Sequence, residues 1–176
     1  MQHFTPQQLC HATGIAPETI RDWRRRGLLD GIGTIQLPSG EFTSDLNHPA
    51  LRGIGRPSWV YHRGDLVVLA VARNLVELRL DLEVSFQIAN HASKHVDAFR
   101  DPKAPASWRR HRWLAGWPVH DGREGEWSLP GPFALMFFDD LNRLIQRGGP
   151  KAVLVDLEKM ARDLPDTLWE VLGYAR

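Results

Sequence analysis

Residues 5–27 leave this chain little conformational freedom. Thr5-Pro6, Gly14, Pro17 and Gly27 punctuate the segment and leave room for two helices of about two turns each. Thr5 can accept a hydrogen bond from an early backbone N–H, Pro6 suits a first helical position, and Gln8 stands three residues after the cap. The pattern predicts a helix from Pro6 to about Ala12 with Leu9 and Ala12 inward. Gly14 breaks it through a left-handed turn, and Ile15 plugs the core beside that turn. A second helix begins at Pro17 behind a weak cap, Ala16. Ile20 and Trp23 face the core, which leaves Glu18, Thr19, Arg21, Asp22 and Arg25 on the outer faces. Gly27 ends the helix and Leu28-Leu29 returns the chain to the interior. Two short helices around a glycine turn, the second with arginines outside, suit either a helix-turn-helix or an ordinary helical hairpin.

The segment from Asp30 to Trp59 is rich in glycine and proline and predicts a long hairpin or wing, with Thr34–Leu37 and Trp59–Tyr61 as pairing pieces. Asp65 is the expected cap of a helix reaching Leu80, and Asp81 the cap of another reaching about Phe99, stopped by Pro102 and Pro105. Residues 106–130 carry Trp108, Trp113, Trp117 and Trp127 among glycines and prolines, which suggests short strands and turns. A helix is expected from Pro132 through Gln146, a strand at Lys151–Val155, and a helix capped by Asp156 that Pro165 interrupts or restarts, ending near Leu172.

Charge excludes several roles. Lys and Arg number 22 against 21 Asp and Glu, for a net charge of +1. The part up to Arg100 carries a net +1 and the remainder a net of zero, so a nucleic-acid contact has to be local. Arg21, Arg24, Arg25 and Arg26 form the densest basic cluster, opposed by Asp22 alone; Arg109, Arg110, His111 and Arg112 form another, read as a solvated face. With 43% hydrophobic residues the chain has a core to bury, and a lone Cys10 makes no disulfide scaffold. The apolar run Trp127–Phe138 contains two prolines and is too short to span a bilayer; no membrane partner and no N-terminal signal segment are expected.

Enzymatic and metal readings find little support. Gly31-Ile32-Gly33 and Gly53-Ile54-Gly55 lack the Lys-Ser/Thr of a phosphate loop, and Asp139-Asp140, adjacent on a helix, point apart. His91 and His95 share a helix face, but no cysteine is near and Ala92 stands where a catalytic Glu usually follows; His111 and His120 are distant candidates for a third ligand. No enzyme activity, metal or cofactor is expected.

The runs FTPQQLCHATGIAPETIRDWRRRGLL and VYHRGDLVVLAVARNLVELRLDLEVSFQIA resemble the DNA-binding domain of MerR-like transcriptional regulators. Thr19-Ile20-Arg21, Trp23, Gly27-Leu28-Leu29, Tyr61 and Asp65-Leu66 carry the resemblance, which covers about half the chain. It implies that Arg21 lies on the DNA-facing side of the recognition helix, that Tyr61 approaches the phosphate backbone, and that Trp23 and Leu28 are core. Three departures stand out, the first being that the stretch from Asp30 to Trp59 is longer than a usual wing. Trp59 occupies the place of an arginine that usually precedes the tyrosine, with Arg56 or Arg63 as substitutes, and Asp22 replaces a common aromatic.

The expectation is therefore a mainly α protein: a winged helix-turn-helix over residues 1–100 and a smaller α+β domain over 101–176, the latter serving dimerisation or an effector. Helix 17–26 would read the major groove of double-stranded DNA, with Thr19, Arg21, Arg24, Arg25, Arg56, Tyr61 and Arg63 as the contact residues. The resemblance implies a homodimer on a palindrome, although nothing past Phe99 sustains the heptads of a coiled coil. A cytoplasmic, nucleoid-associated regulator follows, and nothing in the sequence supports a small-molecule effector. The alternatives are a phage-type accessory DNA-binding protein, such as an excisionase or architectural factor, and a protein-interaction module.

Overall fold

The computed structural model of the protein describes residues 2–53, 55, 57–118, 133–138 and 153–174. It is mainly helical, with two small antiparallel sheets. The residues form two compact units, Met1–Ala70 with Pro165–Arg176, and Val71–Leu164. The division expected near residue 100 falls inside the second unit, and the C-terminal helix belongs to the first.

The first unit opens with α1 (Pro6–Thr13). Thr5 Oγ1 accepts from Gln8 N–H at 3.3 Å while Gln8 Oε1 accepts from Thr5 N–H at 2.8 Å, so two otherwise unpaired donors of the first turn are satisfied reciprocally. Gly14 ends the helix at φ 66°, and its N–H donates to Cys10 O. The buried Thr13 hydroxyl donates to Leu9 O and accepts from Ile15 N–H, which stiffens the turn into α2 (Pro17–Arg25). Leu9, Ala12, Ile15, Ile20, Trp23 and Leu29 are buried, as the spacing predicts.

Three short strands follow: β1 (Thr34–Gln36), β2 (Phe42–Thr43) and β3 (Ser58–Val60), in the order β2-β1-β3. Ile35 faces Trp59 and Thr34 faces Val60, which is the expected pairing across the glycine-rich segment. Phe4 and Tyr61 extend the ribbon through mutual backbone bonds of 2.8 and 2.9 Å. The helix α3 (Arg63–Glu77) begins two residues before Asp65, so that residue lies inside the first turn and is not the cap. Its carboxylate instead accepts from His62 N–H and from Gly33 N–H, tying the start of β1 to the start of α3. In the C-terminal segment, α7 (Asp166–Val171) returns to α1, where Thr167 Oγ1 donates to Ala12 O at 3.2 Å.

In the second unit α4 (Leu82–Ala98) is capped by Asp81, whose Oδ1 accepts from Glu83 and Val84 N–H. It packs on α5 (Ala106–Arg110) and α6 (Leu157–Asp163), and Arg100 Nε donates to Ala161 O. Part of the tryptophan-rich stretch is thus helical, not strand and turn. Asp156 caps α6 through Lys159 N–H, as expected. The second sheet comprises β4 (Trp113–Pro118), β5 (Phe133–Phe138) and β6 (Val153–Asp156), with β4 central.

The strand β5 corrects the helix expected from Pro132. Phe133–Phe138 is an unbroken apolar, aromatic-rich run, and periodicity does not distinguish such a run in a helix from one in a buried strand. Antiparallel pairing with Trp113–Pro118 decides it. The rest of that expected helix, with Asp139-Asp140, lies outside the described residues, as do Trp127, His120 and Ile54. No described helix is long and apolar enough to cross a membrane.

Gly33 shows how tightly the ribbon closes on itself where β1 meets Val60 and Tyr61. It has φ +77°, and a Cβ there would meet the Tyr61 ring at 2.9 Å and Val60 O at 3.1 Å. Gly33→Ala combines left-handed strain with overpacking against buried atoms. We expect a loss of about 2–4 kcal/mol in urea unfolding.

Candidate nucleic-acid interface

The short helix α2 puts two kinds of residue on two faces. Ile20 and Trp23 point into the core at 6% exposure each. Thr19 is half-buried, while Arg21 and Arg25 are exposed and one turn apart, on one face of the helix. Arg21 has no ion-pair partner among the described residues. Arg25 meets Asp22 at 2.5 Å, and Arg26 reaches the other oxygen of Asp22 at 4.0 Å. Asp22 is thus neutralised within its own helix. Both pairs are exposed, and such pairs contribute about 0–1 kcal/mol, so Arg25 exchanges readily to another anion.

Arg24 behaves differently from its neighbours. Its guanidinium carbon lies 3.3 Å from the centre of the Trp59 ring. One of its nitrogens donates to Ile32 O and to the Tyr61 hydroxyl, both at 3.2 Å. A guanidinium held over an indole face and hydrogen-bonded at its edge joins α2 to β3. The spacing contains a signal for this: Arg24 is four residues after Ile20, on the line that borders the core.

Tyr61 is 1% exposed. Its ring is part of the core and its hydroxyl accepts from Arg24, so its position departs from the backbone contact that the resemblance implies. Arg63 turns toward the C-terminal segment, donating to Leu172 O at 3.3 Å and lying 4.3 Å from the Tyr174 ring centre. Arg56 lies outside the described residues. Of the expected contact residues, α2 therefore brings Thr19, Arg21 and Arg25 together at the surface, whereas Arg24 and Tyr61 form the joint beneath.

The β1–β2 hairpin carries no cation at its tip, where Pro38, Ser39 and Gly40 are followed by Glu41. The connection from β2 to β3 makes a 3-10 turn at Pro49–Leu51 and carries the exposed Arg52. Nothing in the sequence singles out Arg52, and Trp59 reads there only as a strand residue in place of an arginine. Only the fold shows that the tryptophan in the usual arginine place receives an arginine from α2.

Elsewhere, the basic residues expected to form a solvated face divide. Arg109 and Arg110 are exposed, while Arg112 pairs with Asp156 at 2.7 Å and Glu158 at 3.0 Å. Burial opposes ionisation of Asp156, but the bonds from Arg112 and the backbone outweigh it and hold its carboxyl below the usual range. The two histidines of α4 diverge: His91 is exposed and its ring bonds Gln87 O, whereas His95 is 9% exposed and bonds Trp108 O. Burial pushes the Cys10 thiol up, with the charge of Glu18 adding to the shift, which makes it a poor nucleophile.

A scan against known protein families finds no match, and neither does a comparison with curated proteins.

Arg24→Ala removes a stacked cation and leaves the half-buried acceptors unpaired, so it should lower unfolding free energy by about 1.5–3 kcal/mol. Arg21→Ala, at an exposed position, should change it by less than about 0.5 kcal/mol; urea melts of the two variants make the comparison. Burial raises the Asp65 carboxyl above the usual aspartate range, against the opposing pull of the His62 and Gly33 N–H groups and of Arg24. The folded chain thus holds that proton more firmly than the unfolded one, and this residue's contribution to stability falls as pH rises from about 4 through its raised folded value. Asp65→Asn keeps an acceptor oxygen and abolishes the titration. Its stability relative to the parent should climb across that window, as read by melts at a series of pH values.

Proposed function

We propose that the first unit is a winged helix-turn-helix that binds double-stranded DNA, and that the chain acts as a MerR-like transcriptional regulator. The observation that carries this reading is the arrangement of α2. Its apolar face is buried, Arg24 fastens it to β3, and Arg21 and Arg25 stand exposed on one line with Thr19 beside them. Arginines presented on a rigid helix suit bidentate bonds to guanine edges or clamps on phosphates.

Near-neutral total charge is compatible with this. DNA concentrates about one charge per 1.7 Å, so a small cationic face draws the duplex without a basic protein behind it. Asp22 sits on the same helix, and its neutralisation by Arg25 and Arg26 removes the main electrostatic objection. The wing contributes through Arg52 more than through the hairpin tip, because that tip is uncharged apart from Glu41. Few cations per chain imply that a homodimer on a palindrome supplies useful affinity. A regulator of this kind works in the cytoplasm, on the nucleoid.

Binding to a duplex selected from a random-sequence library should weaken steeply as salt increases. Arg21→Ala should weaken it further and reduce the slope of log affinity against log salt by about 1 per chain. Unchanged binding by Arg21→Ala would show that α2 is not the reading helix. Mapping of bound sites across the genome separates a regulator, found at promoters, from an accessory factor, found at attachment sites.

A further inference from the structure

A cleft of about 500 Å³ opens in the first unit between α1, α2 and β3. Pro17 and Ile20 line it from α2, Pro57 and Trp59 from β3 and the residue before it, and Arg21 and Arg24 bring two guanidinium groups to the same space. Its volume lies in the range that holds a small organic ligand, roughly 300–1,000 Å³. The chemistry of the lining is lopsided. The walls are apolar and aromatic, whereas among the described lining residues the charged groups are both cations and none is a carboxylate. Neither arginine forms an ion pair among the described residues. Arg24 is engaged with Trp59, Tyr61 and Ile32 O, which fixes its charge in place, while Arg21 is exposed and available to close over an anion.

We propose that this cleft binds a small planar aromatic carboxylate, with the ring system against Trp59, Pro57 and Ile20 and the carboxylate bonded to Arg21. The complementarity is specific in both halves. An apolar ring without a negative charge leaves the two guanidinium groups uncompensated, and a small inorganic anion leaves the aromatic walls wet. The site itself stands independently of the proposed function. One consequence rests on that reading: Arg21 cannot pair with a bound carboxylate and a DNA phosphate together, so the ligand acts as an inducer that releases DNA.

The test uses the full chain and 2-naphthoate as the probe, followed by titration calorimetry. Saturable uptake of one probe per chain is expected. Arg21→Ala should raise the dissociation constant by about tenfold or more, as loss of a hydrogen bond to a charged group does. Ser58→Trp, at an exposed position on the cleft wall, should fill the space and abolish uptake. The neutral 2-naphthamide should bind the parent as weakly as 2-naphthoate binds Arg21→Ala. Absence of saturable uptake by the parent, an unchanged dissociation constant in Arg21→Ala, or uptake that survives Ser58→Trp overturns the site. DNA binding measured in the same samples separates the two claims. Uptake of 2-naphthoate by a chain that binds no DNA refutes the proposed function and leaves the cleft standing.

Discussion

A cation between two aromatic rings governs the first unit. The Arg24 guanidinium lies 3.3 Å from the Trp59 ring centre and 6.0 Å from that of Tyr61, and bonds the hydroxyl of the latter and the carbonyl of Ile32. Such a contact is worth about 2 kcal/mol when partly desolvated. Its geometric effect exceeds its energy. Together with the buried Ile20 and Trp23 it holds one face of α2 toward the core, which leaves Arg21 and Arg25 pointing outward. The same joint continues through Gly33, whose N–H donates to Asp65, and through the backbone bonds of Tyr61 with Phe4. Helix, ribbon and α3 are thereby locked at one corner.

With that corner fixed, the division of labour among four adjacent arginines has a physical cause. Arg24 is held on the inner side, Arg25 and Arg26 neutralise Asp22, and Arg21 keeps its charge for an external partner. The net charge of +1 averages this face over a neutral remainder. The proposed DNA contact and the proposed carboxylate site both draw on Arg21, and for that reason one excludes the other.

Local features of the fold were legible in the sequence because local chemistry determines them. Thr5 with Gln8, Gly14, Gly27, Asp81 and Asp156 each act within a turn of their own position, and each stands where the spacing put it. That the pieces Thr34–Leu37 and Trp59–Tyr61 pair was legible too, though not their register, which sets Ile35 opposite Trp59. What escaped depends on distant neighbours. Phe133–Phe138 is a strand because Trp113–Pro118 pairs with it, which no window of periodicity contains. Asp65 reads as a cap until Gly33 is seen to donate to it. Spacing puts Arg24, four residues after Ile20, at the border of the core and Arg25 outside, but only the position of Trp59 shows what Arg24 meets there. The return of α7 to α1 has no local signature at all.

The proposed function has Arg21 meet DNA while Arg24 holds the helix that carries it. The decisive measurement follows the side-chain Nε–Hε resonances of the full chain as a selected duplex is added. The Arg21 and Arg25 signals should shift or broaden, while the Arg24 signal, already held by Trp59, stays in place. Movement of Arg24 with Arg21 unchanged, or perturbation confined to arginines of the second unit, would contradict it.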